Sequence, residues 1–318
     1  MTHTPVLVQE ILALFKTQNG DTLLDTTLGN GGHAAAYLNS AADTTVIGLD
    51  ADPDALAQAK ANLKQFGDRV TYVNANFANL NDALTGGGIV PAKPAGRQPP
   101  LFTHILFDLG LGSHQLSDPR RGFSFQGAGL LTMRYGALDH LPDPGLTCVN
   151  QLAQRIGHLP DAIELIMGLT ADQLSELISF YGEERYARRI AKAIKEVSEP
   201  PRTARQLAEI ITAAVPATYE HGRIHPATRT FQALRLAVNR ELEALTCALP
   251  QAIDLLKPNG TLAVISFHSL EDRIVKRLFR DRAHQLLIIT KKPIQARNEE
   301  IDKNPRSRSA KLRAAAKK

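Results

Sequence analysis

The sequence predicts an α/β protein built on a doubly wound parallel sheet, with a mostly helical segment inserted into it. Three observations carry this. Short, β-branched apolar runs alternate with helical patterns over the first 110 residues. A glycine-rich turn follows the first of those runs. The alternation stops between about residues 118 and 223 and then resumes.

Taken in order, residues 22–25 (TLLD), 45–49 (TVIGL), 70–73, 104–109 (HILFDL) and 262–267 (LAVISF) are short and apolar on both faces, as buried parallel strands are. Asp52-Pro53-Asp54 opens a helix, with the proline in its first turn and Leu56 and Leu63 on its apolar side. Residues 85–100 (TGGGIVPAKPAGRQPP) form a Gly/Pro-rich loop. From 118 to 223 helical patterns dominate, for example 171–180 and 183–197. A helix near 227–248 has Pro226 at its start and Phe231, Leu234, Val238, Leu242 and Leu245 as its apolar stripe. Lys257-Pro258-Asn259-Gly260 is a turn into the next strand. The expected organisation is a discontinuous α/β domain, 1–117 with 224–318, and a helical insert, 118–223.

Hydrophobic residues are 43% and charged residues 22% of the 318, which excludes disordered and fibrous classes. The two cysteines, Cys148 and Cys247, make neither a disulfide framework nor a four-ligand zinc site, so a reducing compartment is expected. Residues 1–16 lack the basic start of a signal peptide, and Glu10 interrupts their apolar run. No stretch approaches the ~20 apolar residues of a bilayer span. A cytoplasmic protein without a membrane partner is therefore expected. Ten Lys/Arg against three Asp/Glu fall in 291–318, a local +7 that leaves −2 for the preceding 290 residues. Two readings suit such a basic tail: contact with nucleic-acid phosphates, or a disordered solubilising extension.

Three segments at strand ends carry candidate chemistry. In LLDTTLGNGGH, residues 23–33, a strand runs into a glycine turn that fits G-x-G-x-x-A through Gly29, Gly31 and Ala34. Asp50 follows Gly29 by 21 residues, at the end of the second strand, where a carboxylate accepts hydrogen bonds from ribose hydroxyls. Both features point to a nucleoside-containing cofactor. Asp25 stands at the mouth of the same turn. It would repel a pyrophosphate and pair with a cation, which favours S-adenosylmethionine over a nicotinamide dinucleotide. Asp108, in DLGLGSHQ after the fourth strand, is either a carboxylate facing a reacting group or the cap of a turn. In SFHSLEDR, residues 266–273, Ser269 with Asp272 matches a helix cap, while Phe267 and His268 are placed to stack on a base. Two basic helical faces, Arg185, Arg188, Arg189, Lys192 and Lys195, and Arg273, Lys276, Arg277 and Arg280, suit a phosphate backbone or a solvated surface. With the tail, they make nucleic acid the favoured substrate class. There is no H-E-x-x-H, no Cys/His metal spacing and no G-x-S-x-G, so no metal is expected. Neither cysteine follows a predicted strand, so a cysteine-nucleophile mechanism has no well-placed residue.

Together, His3-Thr4-Pro5-Val6-Leu7, DTTLGNGGH, Asp108-Leu109-Gly110, RGFSF at 121–125, Met133-Arg134 and YGEER at 181–185 resemble the RsmH (MraW) family. PATRTFQALR at 226–235, ISFHSLEDRIVK and NPRSRS at 304–309 continue the resemblance, which runs in the family's order from residue 3 to about 313. It implies a class I S-adenosylmethionine-dependent methyltransferase fold with a helical insert after the fourth strand, the insert serving substrate recognition. It also implies S-adenosyl-L-methionine as cofactor and, as partner, small-subunit ribosomal RNA or the small ribosomal subunit. The implied reaction is methylation of the exocyclic N4 of one cytidine in the decoding region. Family cofactor contacts carry over to Gly31, Gly32, His33, Asp50, Phe77, Asp108 and Gln115. The chain departs from the family at Gly112 and His114, where the family has serine and proline, and at Thr132, where it has aspartate. The oligomeric state is left open, a homodimer included.

The expected chemistry follows from cytosine. Its N4 lone pair is conjugated into the ring, so hydrogen-bond acceptors at the amino group, supplied by Asp108 and the carbonyls of 109–110, would free the lone pair and then take its proton. Asp108 is the expected catalytic residue, a role that competes with its cofactor contact. Phe123, Phe125 and His268 are the candidates for holding the base by stacking.

Overall fold

The computed structural model describes residues 4–89, 101–112, 116, 118, 120–125, 127, 129–135, 146–222 and 224–318. The chain forms two compact units, Met1–Gly110 with Ala244–Lys318, and Leu111–Glu243. The described helices in chain order are α1 (Val8–Phe15), α2 (Gly32–Ser40), α3 (Pro53–Asn62), α4 (Leu80–Gly86), α5 (Thr147–Ile156), α6 (Ala162–Gly168), α7 (Ala171–Gly182), α8 (Ala187–Glu196), α9 (Ala204–Ala214), α10 (Thr228–Asn239), α11 (Glu241–Leu255), α12 (Ser269–Asp281) and α13 (Asn298–Lys303). Among the described residues, no helix is long and apolar enough to cross a membrane.

The first unit holds a seven-stranded sheet: β1 (Thr22–Asp25), β2 (Thr45–Asp50), β3 (Val70–Asn74), β4 (Phe102–Asp108), β5 (Leu256–Ser266), β6 (Leu286–Ile288) and β7 (Lys311–Lys317). Their spatial order is β3-β2-β1-β4-β5-β7-β6. The first five are parallel, and β7 runs antiparallel to both β5 and β6. Successive residues of a strand feed opposite cores, as the two-residue period requires. Leu24, Ile105, Leu262 and Val264 pack with α4, α11 and α12. Leu23, Leu106, Ala263 and Ile265 pack with α1, α2 and α3. Both faces are buried, so the strands carry the near-continuous apolar runs seen in the sequence. Asp52 caps α3 by accepting from Asp54 N at 3.0 Å, with Pro53 in the first turn as expected.

Four expectations are corrected here. The basic stretch 291–318 is not a disordered extension, although Lys291, Lys292, Arg297, Lys303, Arg306, Arg308 and Lys318 are exposed. It contributes α13, a short helical turn Pro305–Ser309 and β7. β7 sits inside the sheet, with Leu312, Ala314 and Ala315 fully buried. The Arg313 guanidinium grips Asp272 through Nε at 2.6 Å and a second nitrogen at 3.2 Å, and Lys317 Nζ donates to the carbonyls of Asp254 and Leu256. Second, the helix expected over 227–248 is two helices, broken at Arg240, whose φ is +49°. Third, the helix expected from 183 starts at Ala187, because Glu183 closes α7 in the left-handed region. Fourth, the turn 257–260 bulges within the span of β5: pairing with β4 joins Phe102 to Leu256 and resumes at His104 with Thr261.

The second unit, Leu111–Glu243, extends beyond the expected insert 118–223 at both ends. It includes α10, which fits closely on α7: a Cβ on Gly182 would lie 2.6 Å from the Arg229 carbonyl oxygen. Capping boxes start α6 at Asp161, α7 at Thr170 and α9 at Thr203. On α8, Ala187, Ile190, Ala191 and Ile194 are buried while Arg188, Arg189 and Lys192 are exposed. Lys195 leaves the proposed basic face, since its Nζ caps the end of α6 through the carbonyls of Ile166 and Met167. Thr132, which stands where the family has aspartate, bonds the Arg121 carbonyl through Oγ1.

Candidate cofactor and active site

The glycine turn is stitched to the strands on either side of β1. Thr26 donates to the Leu106 carbonyl through both N and Oγ1, and the Asp108 N–H donates to Thr27 Oγ1 at 2.7 Å. These bonds fix the end of β1 to the end of β4. On the other side, Leu28 N donates to the Leu49 carbonyl and Gly29 N to Asp50 Oδ2, each at 2.8 Å. Asp50 Oδ1 also accepts from Asp52 N. The carboxylate expected to meet a ribose therefore also holds the turn.

Two glycines are required by geometry. Gly31, the N-cap of α2, has φ +81°, and a Cβ there would lie 2.7 Å from Leu63 Cδ1. Gly32 lies against Pro5, whose Cγ would be 3.0 Å from an added Cβ. Side chains at these positions would meet strain, or neighbours that must shift.

Three carboxylates and one imidazole meet at this turn. Asp25 is 1% exposed and accepts from Thr27 N at 3.2 Å. Burial pushes its carboxyl up to about 7, against the opposing pull of His33. His33, 8% exposed, places Nε2 3.3 Å from Asp108 Oδ2. Burial alone would lower the imidazole, but Asp108 above all, with Asp25 and Glu300, outweighs it and raises its pKa. Two buried polar atoms here, Asn30 Oδ1 and Asp108 Oδ1, have no hydrogen-bond partner among the described residues. Buried polar atoms are almost always satisfied, so orphans grouped around one turn mark a place made for a ligand.

The expected cofactor residues fall as follows. Gly31, Gly32, His33, Asp50 and Asp108 lie together around the ends of β1, β2 and β4. Phe77 opens the short turn after β3, capped by Asn76, and its ring meets Phe107 edge-on at 5.7 Å. Gln115 and His114 lie outside the described residues. The base-stacking candidates fare differently. Phe123 is buried and already stacked on Tyr135 at 5.5 Å. Phe125 stacks on His225 at 4.7 Å. His268, not Ser269, caps α12, its Nδ1 accepting from Glu271 N. Asp272, expected in that cap, is the partner of Arg313. Asn30, Thr27 and Glu300 were not singled out from the sequence. Asn30 and Thr27 sit inside the glycine motif, whereas nothing local ties Glu300 to His33, 267 positions away.

An anionic, partly unsatisfied set of acceptors beside a glycine turn suits a cationic ligand and disfavours a pyrophosphate. S-adenosyl-L-methionine, with its sulfonium and ammonium, fits it. That site, on a parallel sheet with β7 set antiparallel between β5 and β6, defines a class I S-adenosyl-L-methionine-dependent methyltransferase. Comparison with known proteins narrows the class. The sequence profile of the MraW methylase family matches residues 1–318, and the chain belongs to that family. It is 45% identical to a ribosomal RNA small subunit methyltransferase H of Synechococcus sp. (strain JA-2-3B'a(2-13)), over 99% of this chain and 92% of that one. Its counterpart of the same name in Magnetococcus marinus is 43% identical over 99% and 98%. A solved rRNA methylase from Streptococcus thermophilus aligns over 100% of this chain and 99% of that one at 11% identity and a TM-score of 0.41, a likeness too low to add to the topology.

Proposed function

We propose that this protein methylates the exocyclic N4 of a cytidine in the decoding region of small-subunit ribosomal RNA, with the small ribosomal subunit or its RNA as partner. The relatives from Synechococcus and Magnetococcus carry names of small-subunit rRNA methyltransferases, and they match nearly the whole chain. The observation that carries the chemistry is the orphaned Oδ1 of Asp108 at the end of β4.

In this reading Gly31, Gly32, His33, Asp50, Phe77, Asp108 and Gln115 hold the cofactor, which supplies an electrophilic methyl group on its sulfonium. The glycine turn brings backbone N–H groups to the cofactor without side-chain obstruction. Asp25 and Asp108 favour positive charge beside it. Asp108 Oδ1 accepts a hydrogen bond from the cytosine amino group, drawing it toward tetrahedral geometry, and takes up its proton after transfer. The pair with His33 fixes the Asp108 carboxylate in place. Backbone stitching through Thr27 holds Asp108 against the turn, so most of the rate advantage comes from positioning. Unit Leu111–Glu243 recognises the RNA through the exposed basic residues of α8.

The test uses tritiated S-adenosyl-L-methionine and small ribosomal subunits lacking the modification. Label recovered in N4-methylcytidine after digestion supports the reading. Label in another nucleoside, or none while cofactor binds, sinks it.

A further inference from the structure

The segment 4–7 forms a strap over the glycine turn. Pro5 lies on Gly32, and Val6 and Leu7 enter the same core as Leu28 and Ala34. Leu7 sits in the left-handed region, φ +56° and ψ +33°, a conformation a leucine keeps only when its surroundings impose it. The surroundings that do so come from the far end of the sequence. Leu7 N donates to Glu300 Oε1 at 2.8 Å, and Asn304 Nδ2 donates to the Thr4 carbonyl at 3.0 Å. Both acceptor and donor lie on or just after α13, which has no part in the chemistry proposed for the site.

We propose that Glu300 is a positioning residue of the cofactor site, clamping the strap onto Gly32. Its Oε1 takes the N–H of the α1 N-cap, which has no partner within the helix, and so holds Pro5 where it backs the turn. This proposal rests on the reading that Gly32 and His33 contact the cofactor.

The experiment is calorimetric titration of the full chain with S-adenosylhomocysteine from pH 5.5 to 8.5, beside thermal melts. Glu300→Ala is expected to weaken binding about fivefold, the usual scale for losing an outer hydrogen-bond partner. Glu300→Gln keeps the acceptor for Leu7 N, so affinity stays within about twofold of wild type. Asn304→Ala removes the second tie to the strap, so affinity falls. Wild-type binding in Glu300→Ala, or a loss in Glu300→Gln as large as in Glu300→Ala, overturns the proposal. So does an affinity loss that merely tracks melting temperature. If Glu300→Ala does not fold, Asn304→Ala decides, and wild-type binding there overturns the proposal. His33→Ala separates the underlying reading: unaltered cofactor binding there defeats the site assignment itself, whereas weakened binding there with an indifferent Glu300 defeats only the clamp.

Discussion

The glycine turn and the basic stretch 291–318 were equally conspicuous in the sequence, yet the first foretold its own contacts and the second did not. In the turn, the chemistry lies in the backbone and in short side chains bonded to near neighbours. Gly29, Asp50 and Thr27 are tied by bonds of 2.7–2.8 Å to strands β2 and β4. In the basic stretch the composition signalled charge, and charge does not say whether its partner is a phosphate in another molecule or a carboxylate in this one. Arg313 found Asp272, and Lys317 found two backbone carbonyls. A local motif constrains its own geometry, while a charge run leaves the partner to tertiary structure.

The largest effect expected from sharpening this contrast is at the turn's anionic side. Asp108→Ala should lower methyl transfer by about 10²–10³-fold at saturating cofactor if the carboxylate serves the amino group. A fall in cofactor affinity with single-turnover rate preserved would confine Asp108 to binding. Next, Arg313→Ala should destabilise the protein by about 3 kcal/mol, read by urea unfolding, because Asp272 is left partly buried without its partner. Arg308→Ala, in the same basic stretch and exposed, should change stability by less than about 0.5 kcal/mol. Equal effects would show that the pair with Asp272 contributes nothing to the fold. Gly31→Ala should cost about 1–2 kcal/mol and weaken cofactor binding, given its positive φ and the nearness of Leu63.

A smaller effect concerns pH. Asp25 has a folded pKa near 7, above its unfolded value of ~3.9, so the folded state holds the extra proton between those limits and stability falls as pH rises through that window. His33, also raised, contributes stability that is present below its unfolded pKa of ~6.5 and is lost as pH climbs through the folded one. Both slopes have the same sign. Asp25→Asn should therefore melt a few degrees above wild type at pH 8, with the advantage vanishing near pH 4; a pH-independent difference would refute the assignment. The smallest effect is on RNA affinity: removing Arg188 and Arg189 should reduce the slope of log affinity against log salt by roughly 0.7 for each phosphate they neutralise. An unchanged slope would move the RNA-binding surface off α8.

These expectations also mark how far the sequence could be read. The five parallel strands were legible because each is apolar on both faces, a pattern only a doubly covered sheet requires. β7 was not. Its KLRAAAK alternates poorly, and its burial depends on β5 and β6 flanking it. The break at Arg240 was invisible because the apolar stripe from Phe231 to Leu245 continues across it, while the left-handed turn there is set by packing. At the site, Gly31, Asp50 and Asp108 were legible from spacing after strands, whereas Gly32 and His33 were legible only through the family resemblance. Asp25 was noticed for its charge, but its burial, which makes that charge costly, follows only from the sheet around it. Phe123 misled for a related reason: an aromatic in a polar neighbourhood looks available, and its ring is already covered by Tyr135.

The position of β7 has a consequence for how the protein comes into being. Domains tend to fold from the N-terminus as they are made. Here β1 to β4 can assemble around the glycine turn early, but the gap between β5 and β6 is filled by a strand synthesised after both. Until it inserts, two sheet edges stay unpaired and Asp272 waits without its arginine, leaving exposed strand edges of the kind that invite association. α13, which steadies the strap over the turn, also emerges late, so a nascent chain can carry most of the cofactor motif long before it can hold a cofactor well. Translation products that stop short of α13 and β7 should therefore be both cofactor-poor and prone to aggregate.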